Sequence, residues 1–209
     1  MDTVLRPAFT LLRSLALAVA LACASTSGPA AAASPEQFID DLARQAIAVT
    51  NQKISQPQKI EQFRTLLNQS FNVQGIGQFV LGRYWRAATD AERAEYLRLF
   101  EDYIVHSYAK RFDAYQGEQL QVSGARQDPA SGSVMVGSVL QAPGGGEPVR
   151  IDWQIQPAGN SYQVVDVVVE GVSMGVTQRS EFASVIRRGG GKVETIIAAL
   201  KKILSHIQG

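Results

Sequence analysis

Residues Tyr162–Phe182 read YQVVDVVVEGVSMGVTQRSEF, and the rest of the chain can be placed around them. Val164, Val165, Val167, Val168 and Val169 crowd β-branched side chains together, which favours an extended backbone in a sheet buried on both faces. Asp166 and Glu170 fall on one face at period two, and Gly171 ends the strand. After a short linker the spacing turns helical, with Arg179, Phe182 and Ile186 on one side of a helix expected over Gln178 to Arg188. A strand running directly into a covering helix is the seam of an α+β domain.

Upstream of the seam, three more strand-like segments are expected over Gln119–Gly124, Ser133–Gln141 and Pro148–Gln156. The fourth is Tyr162–Glu170. Asp128-Pro129 with Ser131-Gly132, then Gly144–Gly146, then Pro157–Asn160 supply hairpin loops, so the four form an antiparallel meander. In the third strand Ile151, Trp153 and Ile155 alternate with Asp152 and Gln154, giving one apolar face.

Before the meander the periodicity is helical. Ser34-Pro35-Glu36-Gln37 offers an N-cap, a proline at the first helical position and a capping box. Phe38, Leu42, Ala46 and Val49 continue that face. Pro57 interrupts, then Ile60, Phe63, Leu66 and Leu67 make a second face, and Ile76, Phe79 and Val80 a short helix ending at Gly82. Thr89 and Glu92 form another capping box. It opens the longest helix, whose stripe of Tyr96, Leu99, Phe100, Tyr103 and Phe112 runs to about Phe112. A last helix is expected over Lys192–Ile207, so the order is helices, four-stranded sheet, helices.

The chain has 209 residues, enough for one sizeable core, with 45% hydrophobic and 19% charged residues. Its first 33 residues read as a cleavable secretory leader. Arg6 and Arg13 precede an apolar run from Leu15 to Ala24, and Ala31-Ala32-Ala33 supplies small residues for a cut before Ser34. The run is too short for a membrane span. Cys23, the one cysteine, stands in a partial lipobox, Ala20-Leu21-Ala22-Cys23, so acylation there is the competing processing route. Without residues 1–33 the 20 basic and 19 acidic residues become 18 and 18, since Arg6, Arg13 and Asp2 are lost. That neutral balance argues against nucleic acid or a polybasic grip on a membrane.

Two stretches resemble one family. FVLGRYWRAATDAERAEYLRLFEDYIVHSYAKRF, residues 79–112, is similar to the central helical phrase of the MlaC or toluene-tolerance family. VVDVVVEGVSMGVTQRSEFASVI, residues 164–186, resembles its carboxy-terminal signature. The likeness extends over roughly Phe38 to Leu204. It departs at Tyr162, where the family often has Trp, and at Asn72, where Asp is common. The resemblance implies an α+β fold enclosing a deep apolar pocket for the acyl chains of a phospholipid, carried through the periplasm. It implies an outer-membrane lipoprotein complex and an inner-membrane ABC transporter with its receiving subunit as partners, and a monomer as the working unit. A hopanoid-associated branch of the family makes a polycyclic lipid an alternative cargo. An envelope adaptor with a solid core, binding only protein, is the competing class.

No cofactor and no catalysis are expected. His106 and His206 lie far apart, and no nucleophile, base and orienting group fall at usable spacing. Gly189–Lys192 looks like the end of a phosphate loop, but Val193 replaces its Ser/Thr, so it reads as a helix cap and turn. A lipid carrier instead needs apolar wall. Asp166 and Glu170 require polar partners, with Arg179 one candidate, so their face of the strand should turn away from cargo. That assigns Val165, Val167 and Val169 to the pocket, with Ile151, Trp153 and Ile155 beside them. Leu99 and Tyr103 of the long helix, Met174 and Phe182 are the further lining expected. Arg83 and Trp85, in the polar-aromatic run Arg83–Arg86, are candidates for the pocket mouth.

Overall fold

Helix caps written in the sequence set the frame. The computed structural model describes residues 33–109, 115, 117–129 and 131–208. Ser34 and Gln37 hold each other's backbone N–H groups at the start of α1 (Pro35–Asn51). Gln58 accepts from Ser55 as α2 (Gln56–Ser70) begins. The Asn72 side chain accepts from Gly75 N–H at 2.9 Å to open α3 (Val73–Leu81). A single turn, α4 (Tyr84–Ala87), leads to α5 (Asp90–Ala109), where Thr89 and Glu92 form the expected box. The leader with Cys23 lies outside the described residues, and so does the expected end of the long helix at Phe112. Among the described residues no helix is long and apolar enough to cross a membrane.

The meander follows as β1 (Gln119–Gln127), β2 (Val134–Gln141), β3 (Val149–Ala158) and β4 (Ser161–Val169), all antiparallel in chain order. It gains a short fifth strand. Glu170 (φ 49) and Gly171 (φ 80) turn the chain in two left-handed residues, so β5 (Val172–Ser173) pairs back onto β4. The expected linker to residue 178 is therefore absent. Ser173 is both the end of β5 and the N-cap of α6 (Met174–Arg188). Gly189 caps α6, Gly190 and Gly191 take positive φ, and α7 (Val193–Gln208) closes the chain.

Two apolar clusters result. In the helical one, Tyr96, Leu99 and Phe100 of α5 meet Ile196, Ile197 and Leu200 of α7, with Phe182 of α6 between them. Phe182 lies 6.1 to 6.3 Å from the rings of Tyr103, Phe100 and Tyr96. In the other, Ile39 and Leu42 of α1 and Leu66 of α2 cover Val136, Ile155 and Val164 of the sheet. Phe71, at the joint of α2 and α3, packs against both. Its backbone bridges to Val164, and Asn72 N–H donates to the Val164 carbonyl at 2.9 Å.

One strand assignment needs correcting. Across β3 and β4, Ile151 pairs with Val169, Trp153 with Val167 and Ile155 with Val164, while Gln154 pairs with Asp166. Val165 is thus the extra residue of a β-bulge, and the bulge resets the alternation. Val164, left out of the expected pocket face, lies on the apolar side and is fully buried. Val165 drops out of the Val167, Val169 series.

Candidate functional site

The apolar face of the sheet changes along its length. At one end Val134, Ile155 and Val164 are cross-strand neighbours, sealed by the helices α1 and α2. One step along come Val136, Trp153 and Val167, with Trp153 and Val167 half-buried at the cluster's border. Beyond them Ser138 pairs with Ile151 and Ile151 with Val169, then Leu140 with Val149. Leu140, Ile151 and Val169 are only half-buried and Val149 is 36% exposed, and none of these four belongs to either cluster. Among the described residues, then, α1 and α2 seal this apolar face at Val136, Ile155 and Val164, and Leu120 and Val122 of β1 pack on the same cluster, whereas Leu140, Val149, Ile151 and Val169 stay outside both clusters and keep part of their surface exposed.

Polar atoms on that surface are satisfied internally. Trp153 donates its indole Nε1–H to Ser138 Oγ at 2.9 Å, and Ser138 donates in turn to the Ile151 carbonyl at 2.9 Å. Among the described residues no buried side-chain nitrogen or oxygen lacks a partner. A hydrocarbon chain laid over Ile151 and Val169 would therefore strand no polar group of these side chains.

The acids sit elsewhere, with different partners from those expected. Asp166 accepts from Ser173 Oγ at 2.5 Å, Gly175 N–H at 2.9 Å and Val167 N–H at 2.8 Å. Ser173 Oγ also accepts from Val176 N–H. The carboxylate thereby fastens the first turn of α6 to β4, a favourable place for negative charge. Glu170 accepts from the backbone N–H of Arg150. Arg179 pairs with neither acid. It lies over the Phe79 ring, 5.0 Å from its centroid.

The residues expected to line a pocket separate accordingly. Ile151, Trp153, Val167 and Val169 are brought together on the sheet, with Ile155 at its sealed end. Leu99 and Phe182 are buried in the helical cluster, and Tyr103 packs on it half-buried. Burial, with the nearby charge of Glu181, pushes the Tyr103 phenol upward in pKa. Met174 is half-buried at the start of α6, and Val165 sits at the bulge. Leu140, Val149 and Phe71 were missed. The alternation of VMVGSVLQ in β2 was the signal for Leu140, whereas nothing local marks Phe71 as joining two clusters.

Arg83 and Trp85 line an open depression with Phe79, Arg86 and Arg179, and no strand residue shares it. His106 is half-buried on α5 and His206 exposed on α7. Among the described residues no group of three or more His, Cys, Asp or Glu could hold a metal ion.

Comparison with known proteins gives a family and a fold. The family model described as MlaC protein matches residues 38–202. The intermembrane phospholipid transport system binding protein MlaC of Haemophilus influenzae is 21% identical over 138 residues. That alignment covers 65% of this chain and 63% of the relative, a little under two thirds of the relative's length. A phospholipid-binding protein from Ralstonia solanacearum, solved with a phospholipid, superposes with a TM-score of 0.71 at 19% identity. It covers 83% of this chain and 98% of its own, so the likeness is one of fold.

Proposed function

This chain belongs to the MlaC family, and on that premise we propose that it is a carrier that shields the acyl chains of a phospholipid in transit through the periplasm. Its route runs between an outer-membrane lipoprotein complex and an inner-membrane ABC transporter with its receiving subunit. The leader, residues 1–33, directs export, and residues 34–209 act as one lipid-carrier domain and as a monomer. The observation carrying this reading is the apolar end of the sheet at Leu140, Val149, Ile151 and Val169, which is left partly exposed and outside both clusters.

The energetics suit a carrier. Each methylene withdrawn from water contributes about 0.8 kcal/mol, so two long acyl chains represent on the order of 20 kcal/mol. A lipid leaves a bilayer at a useful rate only if something covers those chains. A wall of similar apolarity makes the exchange nearly neutral, so loading and release both proceed. No group need react, and the protein works without catalysis or cofactor. The relative and the solved neighbour, both phospholipid proteins by description, support the same cargo.

The test is lipid extraction of the protein purified from periplasm without detergent. About one diacyl phospholipid per chain is expected. Polycyclic lipid in its place would move the cargo to hopanoids, and a lipid-free protein with no uptake from vesicles would favour the envelope adaptor.

A further inference from the structure

The depression beside α4 has a volume of about 320 Å³, and its wall carries three arginines, Arg83, Arg86 and Arg179, and no acid. Among the described residues no carboxylate lies within ion-pair distance of any of the three. Five arginines elsewhere, Arg44, Arg64, Arg93, Arg98 and Arg150, each hold an acid, and those among the described residues that do not, Arg126, Arg187 and Arg188, line neither depression. A second depression of the same volume, between α1 and α2, is lined largely by glutamines and holds no cation.

Two of the three guanidiniums are also placed by their neighbours. Gly82 has φ 59 and no side chain, and a Cβ there would meet Arg179 Nε at 2.8 Å. Arg179 lies close against the backbone for that reason, braced over Phe79. Arg83 rests 4.9 Å from the Tyr84 ring centroid and donates to the Tyr84 hydroxyl. Trp85 is fixed by Arg93, which stacks on its ring at 5.3 Å and donates to its carbonyl. Phe79, 43% exposed, completes an aromatic rim. Nearby, Val172 and Val176 flank the Ser173 cap at 52% and 57% exposure.

We propose that this depression binds the phosphate group of a phospholipid headgroup. Unpaired guanidiniums present forked donors to phosphate oxygens. Free phosphate offers the same oxyanion chemistry, but it gives no role to the exposed ring of Phe79 or to Trp85. Aromatic rings beside arginine suit the boundary between headgroup and hydrocarbon. The depression reaches the seam between β4 and α6 through Phe79: a Cβ on Gly175 would touch Phe79 at 3.4 Å and the Asp166 carboxylate at 3.1 Å. This assignment rests on the lipid-carrier reading.

The full chain, freed of bound lipid, is incubated with vesicles holding phosphatidylglycerol and diacylglycerol of matched chains, then re-isolated and its lipid identified. Wild type is expected to prefer the phosphate-bearing lipid by at least about tenfold, the size of one charge-assisted hydrogen bond. R83Q/R86Q/R179Q should lose the preference while still taking up acyl chains. The single variant Arg86→Glu, a surface change, should lower it if the triple variant folds poorly. An unchanged preference in the folded triple variant, or in Arg86→Glu if the triple variant does not fold, overturns the site and leaves the carrier reading standing. Uptake of neither lipid by wild type contradicts the carrier reading and removes this assignment with it. A parallel titration with inorganic phosphate follows Trp85 emission in the Trp153→Phe chain, since the protein has two tryptophans. A saturable response there without any lipid preference would assign the depression to free phosphate and overturn the headgroup.

Discussion

Asp166 shows how one side chain organises the molecule's seam. It collects two backbone N–H groups and the Ser173 hydroxyl, tying β4 to the first turn of α6. Asp166→Asn keeps the size but loses the charge that those donors face, and should cost about 1–3 kcal/mol. A lowered urea midpoint at constant slope would show it, and an unchanged midpoint would mean the donors are satisfied otherwise. The histidines are the opposite case. Replacing both His106 and His206 with Gln should leave lipid transfer between vesicles within about tenfold of wild type, because no acid–base step is required of them. Asp166 was legible as an acid needing a partner, but the partner was not. Apart from Val167 N–H, its donors are Ser173 and Gly175 at the turn and helix start, seven and nine residues on, and that proximity depends on the two-residue turn at Glu170-Gly171. Arg179 was the charge in view, and the sequence has no mark showing that Phe79 would hold it.

At the scale of elements, the caps were the most legible feature, because a box such as Ser34 to Gln37 is closed by residues three apart. The box at Thr89 also carries a pH dependence. Hydrogen bonds from Thr89 hold the Glu92 carboxyl below its ordinary pKa. A depressed folded value means that the stabilisation is present above the ordinary glutamate range and is lost as pH falls through the folded value. Melting curves of wild type should therefore drop more on acidification than those of Glu92→Gln, and parallel curves would contradict it. The meander was legible from its turns, and its apolar face from Ile151, Trp153 and Ile155. The bulge at Val165 was not, since a run of valines looks the same in either register. The corrected face makes its own prediction. Val169→Trp should fill the open end and abolish lipid co-purification in a folded protein. Val168→Trp, on the opposite face, should cost roughly 1–3 kcal/mol with lipid still bound. Ile155→Ala, at the sealed end, should cost about 2–5 kcal/mol. Urea titration of the three variants, with lipid extraction alongside, separates the two ends of the strand.

The whole molecule is legible from sequence as helices, sheet and helices, because each element carries its own periodicity. That its apolar residues divide into two clusters is not, since Leu99 and Ile155 look alike as candidate lining. Only packing shows that Leu99 serves the helical cluster and Ile155 the sealed sheet, leaving Leu140, Val149, Ile151 and Val169 uncommitted. The central claim is that acyl chains complete this cover. Methyl NMR of the protein loaded with a phospholipid spin-labelled on its acyl chain tests it most directly. The methyl signals of Leu140, Val149, Ile151 and Val169 should lose intensity, while those of Ile186, Ile196 and Leu200 in the helical cluster persist. Stoichiometric uptake that leaves the Ile151 and Val169 signals intact would contradict the account.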